Sequence, residues 1–328
     1  MQNKIFIIAE AAQGYEGSLE KAKLLLKGAI ASGADAFKIQ IFATDELARH
    51  DYKYFSLFQT LEMPMASWAE LIHEAKSNGL KFYADVFGLE TAQKLHELKV
   101  DGYKIHCSDV SNPPLLEFLS KTGASLLLSC GGSTLEEIEN ALKILSNGIS
   151  PVSLLTGFQG EPSPLEETHL NRIRFLAEKF GLPVGLQDHV EGGCEESFLI
   201  PYMAIGAGAA IIEKHITLSR LLQMEDYGSA LTPEEFQRFV KTIRTLEVAV
   251  GVNGFELSAK ENQYRTLMKK HVVAKVDLNP GTVLSYDNMA LKRTAENNVP
   301  LFSSAGLVGK KTATVVKKDQ IILPEMLS

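Results

Sequence analysis

The sequence predicts an α/β fold, a (β/α)8 TIM barrel followed by a small β-rich domain. Three observations lead there. Eight short apolar runs alternate with helix-period segments over roughly the first 250 residues, the count and length that such a barrel needs. The runs lack polar alternation, as strands buried on both faces of a parallel sheet do. No G-x-G-x-x-G follows the first run, which argues against a doubly wound dinucleotide-binding sheet.

The elements follow in order. The opening residues from Met1 to Glu10 read as a buried strand, with its apolar run at 5–9. Ser18 is placed to cap a helix over 19–32, whose Ala22, Leu25, Leu26 and Ala29 share one face. Further strands are expected at 36–41, 80–86, 102–105 and 125–129. Thr134, with Glu137 three residues on, then forms a capping box opening a helix over 135–145. The last three barrel strands fall at 152–156, 183–186 and 209–212. Gly33, Gly79, Gly123, Gly148, Gly181 and Gly206 stand where helices should end. From about residue 258 the rhythm is lost. Short strand-like pieces at 272–274, 283–284, 289–291, 312–316 and 321–323 are split by turn signals such as Asn279-Pro280-Gly281. The organisation expected is a barrel over 1–255, a polar linker over 256–267 and a small domain over 268–328.

Composition narrows the class. Over 328 residues, 45% hydrophobic and 22% charged residues with 25 Gly and 12 Pro exclude collagen-like, disordered and mucin-like chains. No stretch approaches the ~18 uninterrupted apolar residues of a membrane span, and no basic-then-apolar leader opens the chain. Three cysteines (Cys107, Cys130 and Cys194) have no C-x-x-C spacing, so a cytoplasmic location is expected. Charge is uneven. Residues 259–328 hold 11 Lys+Arg against 6 Asp+Glu, or +5, so the total of 33 against 40 leaves 22 against 34, or −12, for residues 1–258. A cationic tail on an anionic body suits a cover over an anionic ligand better than nucleic acid, because the tail has no nucleic-acid motif and beyond its opening only Tyr286 and Phe302 as aromatics.

In such a barrel the chemistry sits at the carboxyl ends of the strands. Those ends carry Glu10, Lys38 with Gln40, Asp85, Lys104 with His106, Ser129-Cys130-Gly131-Gly132, Gly157-Phe158-Gln159-Gly160, Gln187-Asp188-His189 and Glu213-Lys214-His215. Charges there are costly unless paired or bound to a ligand, so their concentration marks a catalytic face. His189 and His215, at neighbouring strand ends, can share one divalent metal through neutral imidazoles. His50, His73, His96, His169 and His271 lack that context and read as surface residues. Lys38 and Lys104, on alternate strands, suit a phosphate or carboxylate, with a structural pairing to Glu10 as the alternative. The Ser129–Gly132 turn could add backbone N–H donors. A Schiff base at Lys214 is disfavoured, since Glu213 and His215 face one way along the strand and Lys214 the other.

These residues, in this order, resemble the sialic acid synthase (N-acetylneuraminate synthase) family. The likeness runs through Ile7-Ile8-Ala9-Glu10, Gly33-Ala34-Asp35-Ala36, Lys104-Ile105, Asp188-His189 and Gly206-Ala207. Its most specific stretch is Ile212-Glu213-Lys214-His215-Ile216-Thr217-Leu218. The tail resembles the family's antifreeze-like (SAF) domain through Gly281, Asp287-Asn288 and Lys292-Arg293. The resemblance implies a metal-dependent condensation of phosphoenolpyruvate with an N-acetylated amino sugar. It further implies Mn2+ on His189 and His215, phosphoenolpyruvate on Lys38, Gln40, Lys104 and Ser129, and catalysis by Glu10 and Glu213. Asp188, Gln159 and Arg293 would meet the sugar, Arg293 from the partner in a domain-swapped homodimer.

Departures from the family pattern accompany the likeness. Gly14-Tyr15 replaces Asn-His, Ala84-Asp85 replaces Ser-Thr, and Cys107 and Cys130 replace hydroxyl residues. Gln187 replaces Ser, Ser219 an Asp, Tyr227 a His, Glu161 the Tyr of Tyr-Pro, and Thr294 a Pro. They imply an altered acceptor, and Asp85 opposes an anionic donor. A barrel aldolase or lyase with another carboxylate donor, and a non-catalytic pseudo-synthase in a glycan pathway, stand as alternatives.

Overall fold

The computed structural model describes residues 4–251, 254–296 and 299–328. The chain divides into two compact units on either side of residues 252–253. The first is a closed barrel of eight parallel strands in sequential order. They are β1 (Phe6–Glu10), β2 (Ala36–Ile41), β3 (Lys81–Val86), β4 (Gly102–Ile105), β5 (Ser125–Ser129), β6 (Val152–Thr156), β7 (Val184–Asp188) and β8 (Ile211–His215). The part of the expected first strand at residues 1–3 lies outside the described residues.

Two apolar layers hold this unit together. Ile8, Ala36, Tyr83, Leu127, Leu155 and Ile211 fill the barrel interior. Their neighbours along the strands, such as Ile7, Ala9, Phe37, Ile39, Phe82 and Ile212, point outward under the helices. That is why the runs read as continuously apolar: both faces of each strand are buried. Gly102 is required here, because a Cβ at this position would lie 2.1 Å from Cε1 of Tyr83, whose ring fills the barrel beside it.

Local signals act as read. Ser18 Oγ accepts from Lys21 N–H at the start of the Leu19–Ser32 helix, and Thr134 and Glu137 complete a reciprocal capping box. Gly33 and Gly181 close their helices in the left-handed region. Gly206 does not. It is the last residue of the helix Glu196–Gly206, and the reversal falls on Gly208 at φ +105°.

In the second unit, β9 (His271–Ala274) pairs antiparallel with β10 (Met289–Lys292). Single bridges at Val273–Ile321, Leu278–Val316, Val283–Lys311 and Thr312–Leu327 add to that pair. Val272, Ala274, Leu278, Leu284, Met289, Leu307, Val316 and Ile322 form its core. Most of the expected linker is a helix, Ala259–Met268, opened by a Ser258–Glu261 capping box and burying none of its residues. His271, expected at the surface, is buried, its ring between Thr294 Oγ1 (3.1 Å) and the Val299 carbonyl (3.2 Å).

Candidate active site

Period-two alternation carries each apolar interior position up its strand to a polar one. Ile8 leads to Glu10, Ala36 to Lys38 and Gln40, Tyr83 to Asp85, and Leu127 to Ser129, while Ile211 leads to Glu213 and His215. These side chains converge at the carboxyl end. A cavity of about 150 Å³ there is lined by Glu10, Gln40, Asp85, Lys104, His106, Gln159, Glu161, His189, Glu213, His215 and Asp226.

The two lysines meet there, but paired. Lys104 Nζ donates to Glu213 Oε1 at 2.6 Å and lies 3.9 Å from Asp85 Oδ2. Lys38, fully buried, forms an ion pair with Glu10 and sits 3.5 Å from both Asp85 Oδ2 and Glu213 Oε2. The Lys38–Glu10 pairing weighed as the structural alternative is therefore present, within a five-member network. Burial opposes the charge on Lys38, but Glu10, Glu213 and Asp85 together raise its pKa above the usual lysine value.

The two glutamates are driven apart. Burial lifts Glu10 to about 7, with Lys38 pulling against it. Burial also opposes ionisation of Glu213, yet Lys104 and Lys38 hold its carboxyl well below the ordinary range. Two carboxyl groups of one cavity thus take opposite protonation roles, an arrangement suited to proton transfer beside fixed negative charge.

His189 and His215 stand with ring centroids 5.0 Å apart. Burial lowers the pKa of both, helped by Lys104 at His189 and by His189 and the lysines at His215, so both rings are neutral. His189 Nδ1 is buried without a hydrogen-bond partner. Neutral, closely spaced imidazoles with an orphaned nitrogen fit a divalent cation as two of its ligands. Among the described residues no group of three His, Cys, Asp or Glu side chains is arranged as a metal cage, so water or substrate would supply the remaining positions.

The other expected contacts divide. Gln40 lines the cavity and accepts from Gln13 Nε2 at 2.9 Å. Ser129 is buried in a side-chain chain, donating to Gln187 Oε1 (3.1 Å) and accepting from Gln159 Nε2 (2.8 Å). Asp188 is not brought to the cavity, which corrects its expected role on the sugar. Its carboxylate accepts Lys214 Nζ at 2.7 Å and Val190 N–H at 3.1 Å. It faces outward because it is one residue from Gln187, which faces in. Lys214 is held by Asp188 and the Val190 carbonyl, on the side away from Glu213 and His215. Arg293 belongs to the second unit, where its Nε donates to the Met268 carbonyl at 3.3 Å.

Two lining residues lie beyond the strand ends, and neither was given a role in the site. Glu161, beyond β6, accepts at Oε1 from the Ser229 hydroxyl and from Ser229 N–H (3.1 Å). Asp226, beyond β8, lines the same cavity, and burial, with neighbouring Glu161 adding to it, lifts its pKa to about 9. Glu161 had a signal in its departure from the family's Tyr-Pro, whereas that of Asp226 was position alone, an acid on a strand-to-helix loop at the catalytic end.

A (β/α)8 barrel with two ammonium groups, two neutral imidazoles and ionisable carboxyls at the carboxyl ends of its strands defines a class that handles small anionic ligands. The chain belongs to the NeuB family, whose profile matches residues 25–254, and it carries a SAF domain matching residues 269–328. It is 31% identical to N,N'-diacetyllegionaminic acid synthase of Campylobacter jejuni, over 97% of this chain and 99% of that one. It is 28% identical to N-acetylneuraminate-9-phosphate synthase of Homo sapiens, over 99% and 93%. Among solved structures, N-acetylneuraminic acid (sialic acid) synthetase of Leptospira borgpetersenii in complex with citrate is similar at a TM-score of 0.76 and 29% identity, over 81% of this chain and 93% of that chain.

Proposed function

We propose that the chain condenses phosphoenolpyruvate with an N-acetylated amino sugar or related sugar aldehyde, forming a 2-keto-3-deoxy sugar acid and releasing phosphate. The observation that carries this reading is the convergence of Lys38, Lys104, His189, His215, Glu10 and Glu213 at one barrel mouth in a member of this family. C3 of the enol phosphate attacks the acceptor carbonyl, leaving an oxocarbenium at C2. Water adds there, and the tetrahedral intermediate expels phosphate by C–O cleavage. A divalent cation such as Mn2+, held by His189 and His215, would supply Lewis-acid polarisation of the acceptor carbonyl. Lys38 and Lys104 meet the donor's phosphate and carboxylate, trading carboxylate partners for ligand oxygens. Glu213, kept ionised, stabilises the developing cation, and Glu10, titrating near 7, takes the proton of the adding water. We infer a cytoplasmic homodimer in which Arg293 reaches the acceptor in the partner's barrel. Among the described residues no helix is long and apolar enough to cross a membrane.

Calorimetric titration with phosphoenolpyruvate, with and without Mn2+, tests the donor, and phosphate release tests the reaction. Release that needs both, and that disappears in Lys104→Met and His215→Ala, is the expected result. One observation favours a second donor class. Asp85 lies within ion-pair reach of both lysines and has a buried oxygen, Oδ1, without a hydrogen-bond partner. Phosphoenolpyruvate that neither binds nor reacts, while another carboxylate does, would establish the aldolase or lyase reading.

A further inference from the structure

We propose that Asp85 selects a donor whose phosphoryl group still carries a proton: its Oδ1 accepts a P–O–H and turns away an oxyanion with no proton to give. This rests on the condensation reading above and names the form of the donor that the cavity takes.

One unpartnered atom points there. Among the described residues, Glu10 Oε2, Asp85 Oδ1, His189 Nδ1 and Glu213 Oε2 are the buried atoms of the cavity lining without a hydrogen-bond partner. Glu10 Oε2 and Glu213 Oε2 face Lys38, and His189 Nδ1 suits the cation. Asp85 Oδ1 is left over. Both lysines approach Asp85 at its other oxygen, Oδ2, Lys38 at 3.5 Å and Lys104 at 3.9 Å. Two ammonium groups so near oppose a metal ion at Oδ1, and among the described residues no three His, Cys, Asp or Glu side chains form a metal cage.

The sheet fixes where Asp85 stands. On β3 it is in register with Gln40 of β2 and Lys104 of β4, and it is fully buried. A ligand oxygen that reaches both ammonium groups therefore meets this carboxyl group too. Facing it are Glu10, Lys38, Lys104 and Glu213, with His106, which burial keeps neutral, beyond β4. Three acids against two lysines leave one negative charge over, so an oxygen entering here is repelled unless it donates a hydrogen bond.

The phosphoryl end supplies that proton most cheaply. A phosphate monoester loses its second proton near pH 6, so about one in ten keeps it at pH 7. A carboxylic acid of pKa about 3.5–4 keeps its own in only about one in a thousand. Protonating the phosphoryl group thus lowers affinity about tenfold, and protonating the carboxylate about a thousandfold. An oxyanion without the proton leaves a buried acceptor unpaired and faces it with like charge.

The test is calorimetric titration of the full chain, loaded with Mn2+ and freed of excess metal, with inorganic phosphate and with sulfate. At about pH 8 both ions are mainly dianions, and only phosphate retains a proton. Phosphate is expected to bind at least about a hundredfold more tightly. Asp85→Asn leaves two acids with two lysines and offers an N–H, and should bring the two affinities within about threefold. Asp85→Thr, which places a hydroxyl there, should do the same and carries the comparison where the amide variant does not fold. Equal affinities in the parent, no binding of phosphate, or a preference unchanged in either folded variant would overturn the proposal. Phosphoenolpyruvate, titrated and assayed for phosphate release in parallel, separates the two readings. Turnover of phosphoenolpyruvate by a parent that binds phosphate and sulfate alike discards the role of Asp85 and keeps the condensation. Strong preference for phosphate, lost in Asp85→Asn, with no turnover of phosphoenolpyruvate does the reverse.

Discussion

Asp226 carries a pH signature of its own. An acid whose pKa is higher in the fold than in the unfolded chain binds its proton more tightly when folded. The stability it contributes is full below its ordinary value of 3.8 and is lost as pH rises to about 9. Asp226→Asn keeps the side-chain shape without that titration. Thermal melts of the metal-free chain should therefore show a smaller fall in Tm between pH 6 and pH 9 for the variant than for the parent; equal falls would contradict the assignment. Lys38 tests the network from the other side. Lys38→Met leaves Glu10, Asp85 and Glu213 sharing Lys104 alone, and loss of one member of a buried ionic set costs about 3–5 kcal/mol. Urea unfolding should show that loss, and adding Glu10→Gln to Lys38→Met should recover part of it, because one unpaired charge is then removed. The double variant falling by the sum of the two single losses would show that the groups are independent.

At the scale of elements, strands were legible because burial on both faces leaves uninterrupted apolar runs, and each run coincides with a strand to within a few residues. Alternation along a strand decided more than residue type did. Applied to β8, it set Lys214 apart from Glu213 and His215; the same rule on β7 sets Asp188 apart from Gln187 and His189, and there the family resemblance had drawn Asp188 to the sugar instead. His271 was unreadable for a different reason, since its burial depends on Thr294 and Val299, more than twenty residues away. Glu161 and Asp226 come together from separate loops, and no local pattern encodes that meeting. The polar stretch read as a linker forms a helix through its Ser258–Glu261 box, a signal overlooked beside its high charge. Close contact between strands offers its own test. Gly102→Ala places a methyl against Tyr83 and should cost about 1–3 kcal/mol by overpacking. Combined with Tyr83→Leu the glycine substitution should cost clearly less in urea unfolding, and full additivity would show that the ring is not what excludes the Cβ.

At the scale of the whole molecule, the uneven charge makes a demand on the assembly. Residues 1–258 carry −12 and residues 259–328 carry +5, so the two parts attract, within one chain or between two. Every residue lining the cavity lies in the first unit, whereas Arg293 lies in the second. If Arg293 serves the partner's barrel, damage to the two units should complement in trans. Arg293→Ala keeps an intact cavity and loses the arginine; Lys104→Met loses the cavity's ammonium and keeps the arginine. Each homodimer would then be impaired at both sites, while a mixed dimer would hold one barrel with Lys104 served by a tail with Arg293. Random reassociation of equal amounts should restore about a quarter of the parent's active sites, given two-fold symmetry. Phosphate release in the mixed sample, against each variant alone, reads this out directly. Recovery after unfolding and refolding the two together, but not after simple mixing, would show that the exchange requires the chains to part. No recovery in either protocol would place Arg293 over its own barrel or away from the acceptor, and a sedimentation profile showing dimers in the mixture would then exclude failure to associate as the cause.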